Sequence, residues 1–246
     1  MTQRWKLTIE YDGRPFHGWQ RQDDSLSVQQ VIEEAITKFS GETALLYVAG
    51  RTDAGVHARA QIAHFDLARD TDEDEILGAL NYHVKPHPIA ILAAEQVSEE
   101  FHARFQAQER SYHYLIINRR APLALENGRA WHVATPLDVQ TMQKAADILI
   151  GQHDFSTFRA SHCQSKSPIK TLDEATIERQ GELITCCFRA RSFMYHQVRN
   201  MVGTLQLVGS GRWSLDDFSK AFDAKDRCKG GPTAPADGLY FWNVRY

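Results

Sequence analysis

The first regular pattern of the chain is Trp5-Lys6-Leu7-Thr8-Ile9-Glu10-Tyr11-Asp12-Gly13, in which apolar and polar side chains alternate as far as Tyr11. A period of two residues is typical of a β-strand with one buried face, and Asp-Gly is a turn signal that ends it. Further along, Ser27 and Gln30 have the spacing of a helix capping box, and apolar residues at helical spacing follow. The pattern therefore predicts a strand and then a helix that Gly41 closes.

The rest of the chain alternates strand patterns with single helices. The patterns predict strands at 45–48, 61–66, 89–97, 101–117, 183–189 and 239–244, a loop at 122–136, and helices near Thr71 and at 138–150, 196–207 and 215–222. Strands joined by short turns favour an α+β fold with a largely antiparallel sheet over a doubly wound parallel sheet. We expect two α/β subdomains, an N-terminal one at 1–105 and a C-terminal one at 106–246.

Composition excludes several classes of protein. The 246 residues are 43% hydrophobic and 24% charged, an ordinary globular mixture that can bury a core without disulfide or metal staples. No apolar run reaches the roughly 18 residues of a membrane span, and there is no apolar signal core at the start. The four cysteines form no CxxC pair, and Cys186 and Cys187 would face opposite sides of a strand. We expect a soluble protein of the reducing cytoplasm.

The overall charge is slightly acidic, with 28 Lys and Arg against 31 Asp and Glu, so a role with nucleic acid would need a local basic surface. Residues 101–130 supply one, because five Arg stand against two Glu, and residues 183–215 contain Arg without any acid. In Phe101-His102-Ala103-Arg104-Phe105 and in 110–114, aromatic residues interleave with Arg and His. Rings stack on bases and Arg binds phosphate, so this pattern suits RNA. An edge strand with a solvated basic face would show the same pattern.

A polar loop, Gly50-Arg51-Thr52-Asp53-Ala54-Gly55-Val56-His57, lies between two predicted strands. Its glycines permit positive φ or close backbone approach, and such a loop can hold the Asp53 carboxylate at a sheet edge, with Arg51 oriented toward phosphate. A tight turn with a solvated ion pair would have the same residues. Arg199, on the first turn of a mostly apolar helix, is costly to bury without a carboxylate, and we expect Asp53 to be its partner.

The sequence does not predict a metal site. His83 and His87 have helical spacing, but Pro86 lies between them, and the histidine and cysteine spacings are unlike those of common zinc sites. P-loop and dinucleotide-binding patterns are also missing from the sequence, which disfavours a nucleotide triphosphatase or a hydride-transfer enzyme.

Seven segments, in order along nearly the whole chain, resemble the TruA family of tRNA pseudouridine synthases. They are residues 10–13 with 18–22, 50–58, 101–105, 110–114, 154–159, 198–203 and 236–239. The resemblance implies a fold of two α/β units that share a continuous sheet with a basic RNA-binding cleft. It also implies a homodimer that isomerises uridine to pseudouridine at positions 38, 39 and 40 of the tRNA anticodon stem-loop, without a cofactor or a required metal.

The resemblance assigns roles to particular residues. Asp53 would be the essential carboxylate, acting either as a nucleophile or by taking a ribose proton, and Arg199 would favour its ionised form. Tyr112 would stack on the target uracil and act as, or assist, the base that removes the C5 proton. Arg51 would either occupy the space that the flipped base leaves or hold the displaced backbone. Two segments would contact tRNA: Phe101 to Phe105, and His162-Cys163-Gln164-Ser165-Lys166.

Two other functions stay open at this level. The first is a catalytically silent tRNA-binding protein or chaperone on the same scaffold, although an acid in an RNA-facing loop would repel phosphate. The second is a metal-dependent RNA hydrolase that uses the histidines, which a chelator would inactivate.

Overall fold

The computed structural model describes residues 2–246, and Met1 lies outside the described residues. The chain forms two compact units. The first runs to Gln108 and includes Tyr240–Tyr246, and the second comprises Glu109–Leu239. The subdomain boundary between residues 105 and 106 stays a prediction. Within residues 2–246, no helix combines the length and the apolar character needed to cross a membrane.

Ten strands and five α-helices are found in the described part of the chain. In chain order they are β1 (Gln3–Tyr11), α1 (Val28–Ser40), β2 (Tyr47–Val48), β3 (His57–Leu67), α2 (Glu73–His83), β4 (Ile89–Val97), β5 (Glu109–Asn118), β6 (Trp131–Val133), α3 (Val139–Asp147), β7 (Gly151–Asp154), β8 (Ile169–Gln180), β9 (Leu183–Ala190), α4 (Gln197–Gly209), α5 (Leu215–Asp223) and β10 (Leu239–Arg245).

In the first unit the strand order is β4-β1-β3-β10, and β2 pairs with β3. The central strand β1 is antiparallel to both neighbours, whereas β10 runs parallel to β3. The predicted alternation in β1 is confirmed, because its four apolar positions, Trp5, Leu7, Ile9 and Tyr11, are all buried. Strand β4 begins and ends where the sequence predicts.

Helix α1 confirms the predicted start and stop signals with one difference. The Ser27 hydroxyl accepts a hydrogen bond from the Gln30 N–H at 3.2 Å, and Gly41 ends the helix with a φ of 77°. The Gln30 side chain donates instead to Glu34, so the reciprocal half of the capping box is not formed there. Helix α2 begins later than expected, because Asp72 rather than Thr71 caps it.

In the second unit the strand order is β5-β9-β8-β7, with antiparallel pairing throughout this order, and β6 pairs with β5 in parallel. Cys186 is buried and Cys187 is half-buried, in keeping with their opposite faces on β9. Strand β6 interrupts the predicted loop at 122–136, and the long strand β8 was not predicted. The α+β fold class with largely antiparallel strand pairing is confirmed.

Candidate active site

The predicted loop at 50–57 leads from β2 into β3, whose first residue is His57, and it carries Asp53. Thr52 is buried, with 7% of its surface exposed, whereas Arg51 is exposed and Asp53 is half-buried. The inward orientation of Thr52 therefore leaves the side chains on both sides of it in contact with solvent.

Hydrogen bonds from three other segments fix this loop. The Tyr11 hydroxyl, at the end of β1, lies 2.7 Å from Thr52 Oγ1. The Thr52 carbonyl accepts from the Trp19 N–H at 3.1 Å, and the Gly50 carbonyl accepts from Nε2 of the buried Gln61 at 2.7 Å. The backbone that carries the Asp53 carboxylate is therefore ordered before substrate binds, as a catalytic group requires.

Two glycines allow the backbone of residues 13–18 to approach the loop closely. A Cβ atom on Gly13 would lie 2.1 Å from the Val56 carbonyl oxygen, and one on Gly18 would lie 2.6 Å from the Thr52 carbonyl oxygen. Gly18 also has a φ of 91°, a conformation that favours glycine. Residues 10–13 and 18–19, which carry part of the family resemblance, therefore support the Asp53 loop.

Burial keeps the Tyr11 phenol neutral. Loss of water raises its pKa to about 12, the Thr52 hydrogen bond opposes this rise, and the charge of Asp53 adds to it. The hydroxyl thus remains available to Thr52 at every physiological pH. The sequence pattern identified Tyr11 only as a buried strand residue, although the need of a buried phenol for a polar partner was a usable signal.

His57 secures the other end of the loop. Its Nδ1 accepts a hydrogen bond from the Gly13 N–H at 3.1 Å, and its ring stacks on that of Tyr240 with 4.7 Å between the ring centres. Tyr240 of β10 is also the partner of His57 in the parallel strand pair. The start of β3 is therefore fixed to the last strand of the first unit.

Residues 101–105, predicted as strand, form turns instead. The buried Ala103 donates its N–H to His64 Nδ1 at 3.2 Å and accepts at its carbonyl from the Tyr246 hydroxyl at 2.8 Å. Arg4 donates to the Phe101 carbonyl at 2.9 Å. In a strand, these backbone N–H and carbonyl groups would pair with a neighbouring strand. Because they bind side chains of other elements instead, the strand prediction for 101–105 was wrong.

Aromatic side chains around this turn form a partly exposed group, which we call the ring cluster: Tyr47, His64, Phe101, His102 and Phe105. The ring centre of His102 lies 4.3 Å from that of Phe105, 5.6 Å from that of Tyr47 and 4.8 Å from that of His64. Phe105 is 71% exposed, and the Arg104 guanidinium lies 5.7 Å from its ring centre. An exposed ring beside a cation suits a nucleotide base and its phosphate.

Both histidines of the ring cluster are neutral near pH 7. Burial, aided by the charges of His102 and Arg4, lowers the pKa of His64 to about 4. Burial and then Arg4 lower the pKa of His102. The neutral His64 ring can therefore accept the Ala103 N–H, and this bond holds the turn in place.

In the second unit, Tyr112 lies on β5 opposite Phe188 of β9. Its ring is almost buried and meets the Phe193 ring edge-on, with 5.0 Å between the ring centres. An edge-on aromatic contact is a favoured geometry, so the Tyr112 ring has a defined orientation.

Arg199 is the third residue of α4 and is half-buried. Its Nε donates to the Ala234 carbonyl at 2.8 Å, and its own carbonyl accepts from the Ala234 N–H at 3.1 Å. The next carbonyl, that of Pro235, accepts from the buried Tyr114 hydroxyl at 2.8 Å. The Ala234 carbonyl that accepts from Arg199 therefore lies between two backbone groups, the Ala234 N–H and the Pro235 carbonyl, that are themselves hydrogen-bonded.

The strap, which we define as residues 230–235, packs against α4 through small and polar groups. A Cβ on Gly203 would lie 1.8 Å from a strap carbonyl oxygen. The buried Asn200 accepts at Oδ1 from Thr233 Oγ1 at 2.6 Å and from Arg227 Nη2 at 3.1 Å. Asn200 therefore holds the strap beside Arg199. The sequence pattern did not single it out, although a polar residue next to Arg199 on an apolar helix indicates a buried hydrogen-bonding role.

The segment 162–166 is a surface loop. Arg159 Nη2 donates to the carbonyls of Cys163 at 3.2 Å and Ser165 at 2.7 Å, so this guanidinium shapes the loop. The exposed side chains of the loop are His162, Gln164 and Lys166.

The basic surface is smaller than the sequence predicts. Arg110 is buried and donates to a backbone carbonyl at 2.6 Å. Arg119 forms an ion pair with Glu182 at 2.9 Å, and Arg189 forms ion pairs with two glutamates. Glu182 lies in the turn between β8 and β9, and the partners of Arg189 are Glu174 on β8 and Glu109 on β5. Each Arg is thus neutralised by an acid from outside its own segment, so counting charges within 101–130 and 183–215 overestimated the patch.

The predicted site residues divide between the two units. Arg51, Asp53 and 101–105 belong to the first unit, and Tyr112, 162–166 and Arg199 belong to the second. Across residues 2–246, no three or more His, Cys, Asp or Glu side chains are grouped so as to hold a metal ion.

Comparison with known proteins identifies relatives along nearly the whole chain. A family model described as tRNA pseudouridine synthase matches residues 7–106 and 145–246. The protein named tRNA pseudouridine synthase A from Rhodospirillum centenum is 60% identical to this chain, over 99% of this chain and 100% of its own length. The protein of the same name from Paramagnetospirillum magneticum is 59% identical, over 99% of this chain and 95% of its own length. The one from Maricaulis maris is 54% identical, over 99% of this chain and 98% of its own.

Proposed function

We propose, since this chain belongs to the tRNA pseudouridine synthase family, that it isomerises uridine to pseudouridine at positions 38, 39 and 40 of the tRNA anticodon stem-loop. The observation that carries the proposal is the loop at 50–57, in which hydrogen bonds to Tyr11, Trp19 and Gln61 hold the backbone around Asp53. A chain that only binds RNA would gain nothing from a carboxylate on an ordered loop, since this charge repels phosphate.

The reaction requires a carboxylate beside the sugar of the target uridine. The bond between N1 of uracil and C1′ of ribose breaks, the ring turns, and C5 bonds to C1′. The C5 proton then leaves, and N1 is protonated, so the product is an isomer of the substrate. Asp53 would act either by attacking C1′ or by taking a ribose proton, and each route needs the ionised form.

Tyr112 and Arg199 are the proposed partners of Asp53 in this chemistry. The Tyr112 ring would stack on the uracil, and its hydroxyl would assist removal of the C5 proton. Arg199 would favour the ionised carboxylate when bound substrate displaces water. A uridine within a stem must leave the helix before C1′ and C5 are accessible, and the exposed Arg51 would take up the space left by the base.

Two surface segments are the proposed tRNA contacts. Residues 101–105 present the exposed Phe105 ring with Arg104 beside it, and residues 162–166 present His162, Gln164 and Lys166. Rings that accept stacked bases and cations that bind phosphate are the groups that such a contact needs.

We also propose that the chain works as a homodimer in the cytoplasm, where its proposed substrate is found, and that the reaction uses no cofactor. Sedimentation at equilibrium tests the assembly, since a monomeric mass at assay concentration would contradict it.

Tritium release from tRNA carrying C5-tritiated uridine tests the function. We expect release by the wild type, the same release in the presence of a chelator, and none by Asp53→Asn, which keeps the size of the side chain. Loss of release with chelator would favour a metal-dependent reaction. Binding of unmodified tRNA without release would favour a silent binding protein.

A further inference from the structure

The bond between Tyr11 and Thr52 holds the middle of the Asp53 loop against β1. Thr52 is the buried residue between the exposed Arg51 and the half-buried Asp53, and the Tyr11 hydroxyl, 2.7 Å away, is its side-chain partner. If Thr52 lost this bond, only the backbone contacts with Trp19 and Gln61 would hold the loop, and the side chains of both neighbours would be less well oriented.

The surroundings of this bond are buried, and besides Thr52 the side chain that can bind the Tyr11 hydroxyl is that of Gln61. Tyr11 is 3% exposed, and beside it the fully buried Gln61 uses its Nε2 to hold the Gly50 carbonyl. The Tyr11 ring also lies 6.0 Å from that of Trp19, whose N–H binds the Thr52 carbonyl. A hydroxyl pair in such surroundings is directional, whereas apolar contacts of the same size are not.

We infer that Tyr11 is a positioning residue, which by holding Thr52 inward keeps Arg51 and Asp53 together on the substrate-facing side of the loop. The inference rests on the proposed function, because it assigns Tyr11 to the reaction through Asp53. It adds a residue on β1 to the machinery of the site, and this residue does not itself touch substrate.

Four variants separate this role from a purely structural one: Tyr11→Phe, Thr52→Val, their double variant, and Thr52→Ser. Single-turnover tritium release should fall by about 10- to 100-fold in Tyr11→Phe and Thr52→Val, since displacement of a reacting group by about 1 Å has effects of this size. Thr52→Ser keeps the hydroxyl and should stay within about threefold of the wild type. The tRNA Kd should change much less than the rate in each variant.

The double variant is decisive. Tyr11→Phe takes the Tyr11 partner away from the buried Thr52 hydroxyl, and Thr52→Val leaves the buried Tyr11 hydroxyl with Gln61 alone, so each should lower the free energy of unfolding. The double change removes both hydroxyls and should restore part of it. A positioning role predicts that the rate stays low in the double variant although its stability recovers. If the rate recovers together with the stability, the inference is overturned.

Tyr82→Phe is the matched control, because it removes a hydroxyl from an exposed tyrosine of the same unit and should leave the rate unchanged. A wild-type rate in Tyr11→Phe overturns the inference and leaves the proposed function intact. A wild type that releases no tritium removes the proposed function, and the inference with it.

Discussion

Arg199 and Ala234 exchange two hydrogen bonds: the Arg199 Nε donates to the Ala234 carbonyl at 2.8 Å, and the Ala234 N–H donates to the Arg199 carbonyl at 3.1 Å. The Nε atom of the guanidinium group is thereby bonded to the strap, and this bond orients the two Nη atoms. Lysine, a single flexible ammonium, cannot hold the carbonyl and present a planar fork at once.

We therefore expect Arg199→Lys and Arg199→Met to lower turnover by at least about tenfold, since one hydrogen bond to a charged group contributes about 1.5–3 kcal/mol. The tRNA affinity should fall much less, because the proposed role is to stabilise the Asp53 carboxylate. Measurements of single-turnover rate and tRNA Kd on the same preparations check this. Equal losses of rate and affinity would argue for a role in binding alone.

Gly13→Ala should inactivate the protein without a change in any functional side chain. The new Cβ would lie 2.1 Å from the Val56 carbonyl oxygen, so the Asp53 loop must move away. Gly78→Ala on α2 is the control, because nothing lies within 4 Å of a Cβ there, and alanine should raise stability by about 0.5–1 kcal/mol. The comparison uses tritium release at a temperature where both proteins are folded, and similar rates in the two would contradict the close approach.

The pH dependence of stability should carry a contribution from His64. Its pKa of about 4 lies below the ordinary value of 6.5, so the unfolded chain takes up this proton first as the pH falls. The stability associated with the neutral ring is complete above about pH 6.5 and is lost as the pH falls towards 4.

His64→Asn keeps an acceptor for the Ala103 N–H but does not titrate. Its free energy of unfolding should therefore decline less steeply than that of the wild type between pH 6.5 and about 4, as measured by urea unfolding at several pH values. If the free energy of unfolding depended on pH in the same way in both proteins, His64 would not be the group responsible.

Phe105 should contribute to tRNA binding through its ring. We expect Phe105→Leu to raise the tRNA Kd by about fivefold or more, and Phe105→Trp to preserve it, since base stacking on an aromatic residue contributes about 1–3 kcal/mol. Tyr82→Leu is the matched control, because Tyr82 is 69% exposed and Phe105 is 71% exposed. If both leucine variants bind tRNA as the wild type does, Phe105 is not a contact.

The sequence predicted best the elements in which apolar residues recur at the regular spacing of a strand or a helix. Strand β1 and helix α1 have one buried face each, and their patterns are complete within the element. In β8 the buried positions are Leu172, Ala175 and Ile177, because a register shift between Leu172 and Glu174 interrupts the alternation. A bulge of this kind removes the period-two signal, so β8 could not be recognised.

In the candidate site, too, the residues with a local sequence signal could be predicted, whereas those that act through contacts in the folded chain could not. Asp53 and Arg51 stand out as polar residues in a glycine-containing loop, a local signal. The support for that loop comes from Tyr11 and Gln61, which are adjacent to it only in the folded chain. The turn at 101–105 likewise depends on His64 and Tyr246, which are 39 and 143 residues from Ala103 in the chain.

The membership of β10 in the first unit has a consequence for synthesis on the ribosome. The residues of β1, β3 and β4 emerge early, but Tyr240, which pairs with His57, and Tyr246, which holds the Ala103 carbonyl, are translated after the whole second unit. Until then, β1 and β2 can pair with β3, but the edge of β3 at His57 and Ala58 lacks its β10 partner and is open to nascent neighbours. We therefore expect the nascent first unit to remain sensitive to protease until β10 has emerged, however early its other strands have paired.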